Sequence, residues 1–482
     1  MPGTEAPGPR LAGAEGVLEG PALDRRILAA ARALREHGVR TGDRVLIQGD
    51  NSTGYVVALL ALTHLGACVV PVDHGQSAAG TRAAAGQARA RWLLCRTPPA
   101  APPPGTRVLS YPGLGEGLAP LPGRPDPAGW FARPDAVVLW SSGTTGRPKG
   151  IVKSGAAVRD NTERTIAGMG YRSGDVLAPL LPFSHQYGLS VILLWWLSGS
   201  TLVVTPYQRL DRAVALAAAH GVTAVDAAPS TYHALLGLVR RRPAVRPGLD
   251  GVRIWGVGGA PLDKPLAEAF RAALGRPLLD GYGLSELGNV ALATPGRPVG
   301  CGRPLPGVRV RVRAPGGRLA APGEPGEIEV LSPGLMAGYL TGEGELTPVD
   351  REAWYRTGDL GRLDEDGNLH VTGRHHAVHR LGHTLFPESL ERKAESCGRQ
   401  VKVVAVRDPR RGHALHFFVA DPEAGASLDW RRRMAPHLAE FEQPNAVHVV
   451  ERFPVNPNGK VDTAALRQLI GTGDRHALTG AG

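Results

Sequence analysis

Two rhythms of apolar and polar positions alternate along the first half of the chain. Leu23–Gly38 places Leu, Ile and Ala at the three-and-four spacing of a helix. Asp43–Gln48 (DRVLIQ) is a short apolar run of the kind that forms a buried strand. Gly54–Gly66 returns to a helix, and Cys68–Val72 reads as the next strand. This alternation predicts an α/β fold with mainly parallel sheets, because the crossover helices must cover the sheet faces. Thr97–Pro127 is rich in Pro and Gly and reads as an irregular connection. The alternation resumes with the apolar strand Ala136–Trp140 and continues to Leu279.

From Val308 the pattern shifts to short strands and tight turns, at Val308–Val312, Glu327–Leu331 and Asn368–Thr372. This predicts a β-rich subdomain. After residue 374 a compact α+β tail follows. The expected organisation is a large N-terminal domain over 1–374 and a small C-terminal domain over 375–482. Residues 1–20 are rich in Gly, Pro and Ala and are expected to be loosely ordered.

Composition adds bounds rather than identity. The 482 residues exceed what one core holds, and 43% are hydrophobic, enough for a large interior. The net charge of +11 favours acidic partners, such as nucleotide phosphates or an acidic carrier protein. The Arg residues are dispersed; Arg240–Arg242 and Arg431–Arg433 are the densest runs and carry no interleaved aromatics. That argues against nucleic acid as a partner. Cys68, Cys95, Cys301 and Cys397 form no Cys-x-x-Cys pair, which favours a reducing compartment. Met1–Arg10 lacks the apolar core of a signal peptide, and Val191–Leu197 is too short to span a bilayer. The expectation is a cytoplasmic protein without a membrane span, as a monomer or homodimer.

The strongest local signal is Ser141-Ser142-Gly143-Thr144-Thr145-Gly146-Arg147-Pro148-Lys149-Gly150, directly after the strand Ala136–Trp140. Small residues let backbone N–H groups approach phosphate oxygens, hydroxyls add donors, and Lys149 adds charge. No Walker A pattern can be drawn through it. On composition alone, a plain Gly/Ser/Thr turn explains the segment as well.

SSGTTGRPKG resembles the signature of the adenylate-forming superfamily: acyl-CoA synthetases, nonribosomal peptide synthetase adenylation domains and firefly luciferase. Six further motifs stand in that family's order: PFSHQYGLS at Pro182–Ser190, GGAPL at Gly258–Leu262, GYGLSE at Gly281–Glu286, YRTGDL at Tyr355–Leu360, Gly373-Arg374, and NPNGK at Asn456–Lys460. The resemblance covers residues 23–470. It implies a mobile C-terminal lid, with the active site between the two domains.

The resemblance also implies roles. Lys460 corresponds to the catalytic lysine that bridges the carboxylate and the α-phosphate. Glu286 corresponds to the Mg²⁺-binding glutamate, and a carboxylate shared with phosphates suits that ion. Ser285 stands where the family usually has Thr and retains the hydroxyl. Gly258, Gly259 and Ala260 would present backbone to the adenine, with Tyr282 packed on it and Asp280 and Gly281 beside it. Asp359 would accept both ribose hydroxyls, and Arg374 would contact ribose or phosphate. ATP and Mg²⁺ are the implied cofactors, with coenzyme A as one candidate acceptor.

Pro182–Ser190 aligns with the segment lining the acid pocket, which gives His185, Gln186 and Tyr187, with Gly283, as pocket residues. Amino-acid-activating members usually carry an Asp where Gln186 stands. A neutral Gln cannot compensate a buried ammonium, which disfavours an α-amino acid substrate. Tyr232 and Trp255 are candidates either for an apolar slot or for core. The chain departs from the family after Gly373-Arg374: the hinge Asp is missing, and the stretch His375–Gly382 is one residue shorter. His375, His376, His379 and His383 are loosely spaced and lack a companion carboxylate or Cys, so a solvated hairpin is expected there rather than a metal site.

The leading expectation is an acid–thiol ligase that forms an acyl- or aryl-adenylate and passes the acyl group to coenzyme A or a free-standing carrier protein. The shortened hinge motivates an alternative, a ligase with a nitrogen acceptor or one activating an unusual oxyanion. A non-enzymatic nucleotide-binding module is a third reading, disfavoured by the presence of Lys460, Glu286 and Asp359 together.

Overall fold

The computed structural model describes residues 8–141, 149–262, 264–374, 378–454 and 461–471. The chain divides into two compact units, with the division at residues 375–376; the segment Gly75–Thr81 groups with the second unit.

The first unit is built on two large sheets and a smaller one. One sheet runs, in spatial order, through Leu346–Pro348, Gly338–Leu340, Lys149–Lys153, Val137–Ser141, Cys68–Val72, Arg44–Gln48, Trp92–Cys95 and Arg107–Ser110. From Val137–Ser141 to Arg107–Ser110 all neighbours are parallel. Their residues are near-continuously apolar because helices cover both faces; Cys68–Val72 is buried at every position. The second large sheet centres on the parallel strands Leu279–Leu284, Ile254–Val257, Ala224–Ala227, Val176–Leu180 and Thr201–Val203. A four-stranded antiparallel sheet of Arg309–Arg313, Gly326–Leu331, Tyr355–Leu363 and Leu369–Arg374 supplies the β-rich part.

Helices Thr53–His64 and Gln186–Ser198 belong to one continuous core. Thr53–His64 is buried from Tyr55 through Thr63, so it lacks the polar stripe of a surface helix. Its N-terminus is fixed by Ser52, whose Oγ accepts from the Tyr55 N–H.

Two expectations are corrected. Much of the first twenty residues is ordered: Arg10–Gly13 and Gly16–Glu19 form a hairpin, and Arg10–Gly13 adds in parallel to Thr201–Val203. Leu11 and Ala12 are fully buried there, and the Trp195 indole donates to Arg10 O at 2.8 Å. Apolar burial outweighed the Gly/Pro-rich composition. Within Thr97–Pro127, Arg107–Ser110 is an edge strand rather than irregular chain.

The second unit holds a three-stranded sheet of Val401–Asp408, Gly412–Ala420 and Ala446–Val450, with helices Pro387–Ala394 and Ser427–Met434 on its core. Its first feature is the hairpin Val378–Arg380 and His383–Leu385, closed by Leu381 and Gly382, both at positive φ. Residues 375–377 of the shortened hinge stretch lie outside the described residues, and its end, Leu381-Gly382, is a two-residue turn. His379 Nδ1 lies 3.1 Å from Thr384 Oγ1, and His383 stacks on Phe441. No helix of the described residues is long and apolar enough to cross a membrane.

Candidate active site

Ser141 and Lys149 are cross-strand partners at the ends of two antiparallel strands, so the phosphate-loop candidate connects adjacent strands of one sheet. Ser142, Gly143, Thr144, Thr145 and Gly146 themselves lie outside the described residues. Lys149 places its Nζ over the Tyr339 ring, 5.2 Å from the centroid. Tyr339 is on the strand Gly338–Leu340, paired with Ile151 two residues beyond Lys149.

The Tyr339 hydroxyl donates to Glu286 Oε1 at 3.2 Å and lies 2.9 Å from the Tyr355 hydroxyl. Ser285 and Glu286 sit in the three-residue turn between Leu279–Leu284 and Gly288–Leu292. Gly288 closes that turn at φ +76, where a side chain would also collide with Asn161. The Glu286 main chain is held as well: its carbonyl accepts from the Met336 N–H at 2.7 Å.

Tyr282, on the same strand, donates its hydroxyl to Asp359 Oδ2 at 2.7 Å. Asp359 lies on Tyr355–Leu363, and its N–H donates to Thr357 Oγ1 at 3.0 Å. Arg374 is the cross-strand partner of Asp359 in backbone register; its side chain lies outside the description. Lys460 also lies outside the described residues. Asp280 is half-buried beside Cys301, whose thiol donates to its Oδ2 at 3.2 Å. Burial pushes the Asp280 carboxyl up to about 7.

Gly258 and Gly259 follow the strand Ile254–Val257, which lies next to Leu279–Leu284. Gly259 is at φ +79. A Cβ on Gly258 would stand 3.1 Å from the Tyr187 ring and 3.3 Å from Gly281 O. Small residues at 258 and 281 therefore bring these two backbones and Tyr187 together. Ala260 follows directly and is half-buried.

His185 precedes the helix Gln186–Ser198, and its Nε2 is 3.8 Å from Asp73 Oδ2. Burial lowers the imidazole below its usual range, against the pull of Asp73. Tyr187 is anchored at its far end, where its hydroxyl donates to Asp226 Oδ1 at 2.8 Å. Tyr171 approaches Asp226 Oδ2 at 3.5 Å. Asp226 is 5% exposed, and burial pushes its carboxyl up to about 6. Gly283 sits one residue past Tyr282, where a Cβ would strike Gly288 O at 2.7 Å. Tyr232 and Trp255 are core: both are fully buried and pack with Phe270.

Sequence reasoning missed Lys153, Asp226, Tyr339 and the Asp280–Cys301 contact. Two of these had a signal: Lys153 ends the apolar run Ile151-Val152, and Asp226 interrupts the apolar strand Ala224–Ala227. A charge inside a buried strand needs a local reason. Tyr339 carried no signal, since its partners come from distant segments.

The chain belongs to the AMP-binding enzyme family, whose sequence profile matches residues 21–340. Among its relatives is a fatty acid–[acyl-carrier-protein] ligase of Streptomyces coeruleorubidus, 30% identical over 92% of this chain and 90% of that one. A feruloyl-CoA synthase of an Amycolatopsis species is 29% identical over 93% of each. Among solved structures, the amide bond synthetase McbA of Marinactinospora thermotolerans superposes with a TM-score of 0.81 at 27% identity, over 96% of this chain and 98% of that one. The protein is an AMP-forming ligase.

Proposed function

We propose that the protein activates a carboxylic acid with ATP and transfers the acyl group to a thiol, that of coenzyme A or of a free-standing carrier protein. In the first step a carboxylate oxygen bonds to the α-phosphorus, the bond to the β-phosphate oxygen breaks, and pyrophosphate leaves. In the second, the thiolate sulfur bonds to the acyl carbon and AMP departs. The observation that carries this reading is the contact series Lys149–Tyr339–Glu286, which joins the cation of the phosphate loop to a carboxylate through one tyrosine.

The first step joins two anions, so cations and aimed donors must offset their repulsion. Lys149 and Lys460 supply charge, Asp359 accepts from the ribose, and Gly258–Ala260 give the adenine a flat approach. Glu286 would hold Mg²⁺: its carboxylate is a hard oxygen donor, and Tyr339 fixes its orientation. Such an ion neutralises phosphate charge in the transition state. His185 and Tyr187 border the acid, with Gln186 in place of an ammonium-pairing Asp, so a neutral aryl or acyl tail is favoured.

A nitrogen acceptor is the second reading. It is favoured by the tight Leu381-Gly382 turn in place of a longer hinge, together with the likeness to an amide bond synthetase. The test is acid-dependent pyrophosphate exchange across fatty, aryl and amino acids, followed by product analysis with coenzyme A, a phosphopantetheinylated carrier or a simple amine. Thioester formation supports the thiol reading. Amide formation with no thioester replaces it with the second.

A further inference from the structure

Lys153 has no place in the chemistry described above, yet its side chain is 1% exposed. Lysines are almost never fully buried unless paired. Among the described residues no carboxylate pairs with Lys153; its Nζ donates to Gly334 O at 2.8 Å and more weakly to Glu286 O at 3.5 Å. An ammonium carries three donors, so one remains.

Lys153 also lines a cavity of about 10 Å³, shared with Asn161, Thr162, Gln186 and Ser190. That is room for one oxygen-sized group. Most polar neighbours have already committed their donors. Ser190 Oγ donates to Tyr187 O, Thr162 Oγ1 to Val158 O, and Asn161 Nδ2 to Asn289 O. Beside the second Asn161 N–H, what the cavity offers a ligand is the Lys153 ammonium and the Gln186 amide. Gln186 stands on the first helical turn, between His185 and Tyr187.

We infer that Lys153 and Gln186 form a subsite that selects acids carrying one oxygen acceptor on the carbon skeleton, a hydroxyl, ether or oxo group separate from the carboxylate being activated. The inference rests on reading Gln186 as part of the acid pocket. The cavity is too small for a second carboxylate, which confines the choice to a single oxygen. A site built around a buried donor discriminates strongly, because an analogue lacking the acceptor leaves that donor unpaired.

The test is pyrophosphate exchange with matched pairs that differ by one hydroxyl: benzoate and 3-hydroxybenzoate, cinnamate and 4-hydroxycinnamate, hexanoate and 6-hydroxyhexanoate. Wild type should favour the hydroxylated member of at least one pair by tenfold or more in kcat/KM. Lys153→Met should bring that ratio near one while activity on the unsubstituted acid persists. If Lys153 acted only by holding the Glu286 turn, the variant would lower both members equally and raise the Mg²⁺ requirement; that outcome overturns the subsite. A wild-type ratio near one in every pair overturns it too. Should Lys153→Met not fold, Gln186→Leu at the half-buried edge must shift the same ratio, and an unchanged ratio there rejects the inference. No exchange with any acid removes the parent reading and this one with it.

Discussion

The Tyr282 hydroxyl and the Asp359 carboxylate meet at 2.7 Å although 77 residues separate them in sequence. The bond joins the strand that carries the GYGLSE motif to the strand that carries YRTGDL. A phenol that donates to Oδ2 fixes the orientation of the carboxylate. Tyr282→Phe should cost about 1.5–3 kcal/mol in denaturant stability, the usual worth of a hydrogen bond to a charged group. It should also weaken nucleotide binding several-fold, as read by titration calorimetry. Unchanged nucleotide affinity together with lost stability would mark the contact as purely structural.

Lys460 is assigned by resemblance alone, so its variant is the sharpest check on that carry-over. Lys460→Ala should lower acid-dependent pyrophosphate exchange by about 10²–10³-fold, the scale seen when one preorganised transition-state donor is removed. Nucleotide binding to the same variant should stay near wild type. Exchange within a few-fold of wild type would falsify the assignment.

The sequence carried the frame of this protein because its strands are short apolar runs and its motifs are local. Cys68–Val72 and the strand after Ala136 were legible from five residues each. The hairpin Arg10–Gly13 and Gly16–Glu19 was not legible, because its stability comes from pairing with Thr201–Val203, far along the chain. At the site, Glu286 and Asp359 were legible as members of motifs. Their supports were not: Tyr339 reaches Glu286 from 53 residues away, and Tyr282 meets Asp359 across 77. Local patterns name the groups that do chemistry, whereas tertiary contacts decide how they are held.

Two carboxyls shielded from solvent, one buried and one half-buried, give the fold a pH signature. Burial raises Asp226 to about 6 and Asp280 to about 7, both from an ordinary value of 3.8. Between pH 4 and 7 the folded state therefore binds more protons at these sites than the unfolded chain. By linkage, their contribution to stability falls as pH rises through that window, by at most about 1.4 kcal/mol per pH unit for each group. Asp280→Asn removes one share. Its stability relative to wild type should thus improve progressively from pH 5 to pH 8, measured by denaturant unfolding. A difference that stays constant with pH would show that Asp280 ionises as freely in the fold as in the unfolded chain.

The last test separates the charge of Glu286 from its orientation. Glu286→Gln keeps the shape and removes the anion; if Glu286 holds Mg²⁺ as proposed, the half-saturating Mg²⁺ concentration in the exchange reaction should rise about tenfold or more. Tyr339→Phe keeps the anion but removes the donor at Oε1. It retains the ring beneath Lys149, so the cation–π contact survives. The expected result is a smaller rise in the Mg²⁺ requirement, about two- to fivefold, since the carboxylate must now be ordered at the moment of binding. Tyr339→Leu removes the ring as well and should add a loss in ATP affinity that the Phe variant does not show. If Phe and Leu behave alike, Lys149 gains nothing from the ring, and the series Lys149–Tyr339–Glu286 reduces to its hydrogen bond.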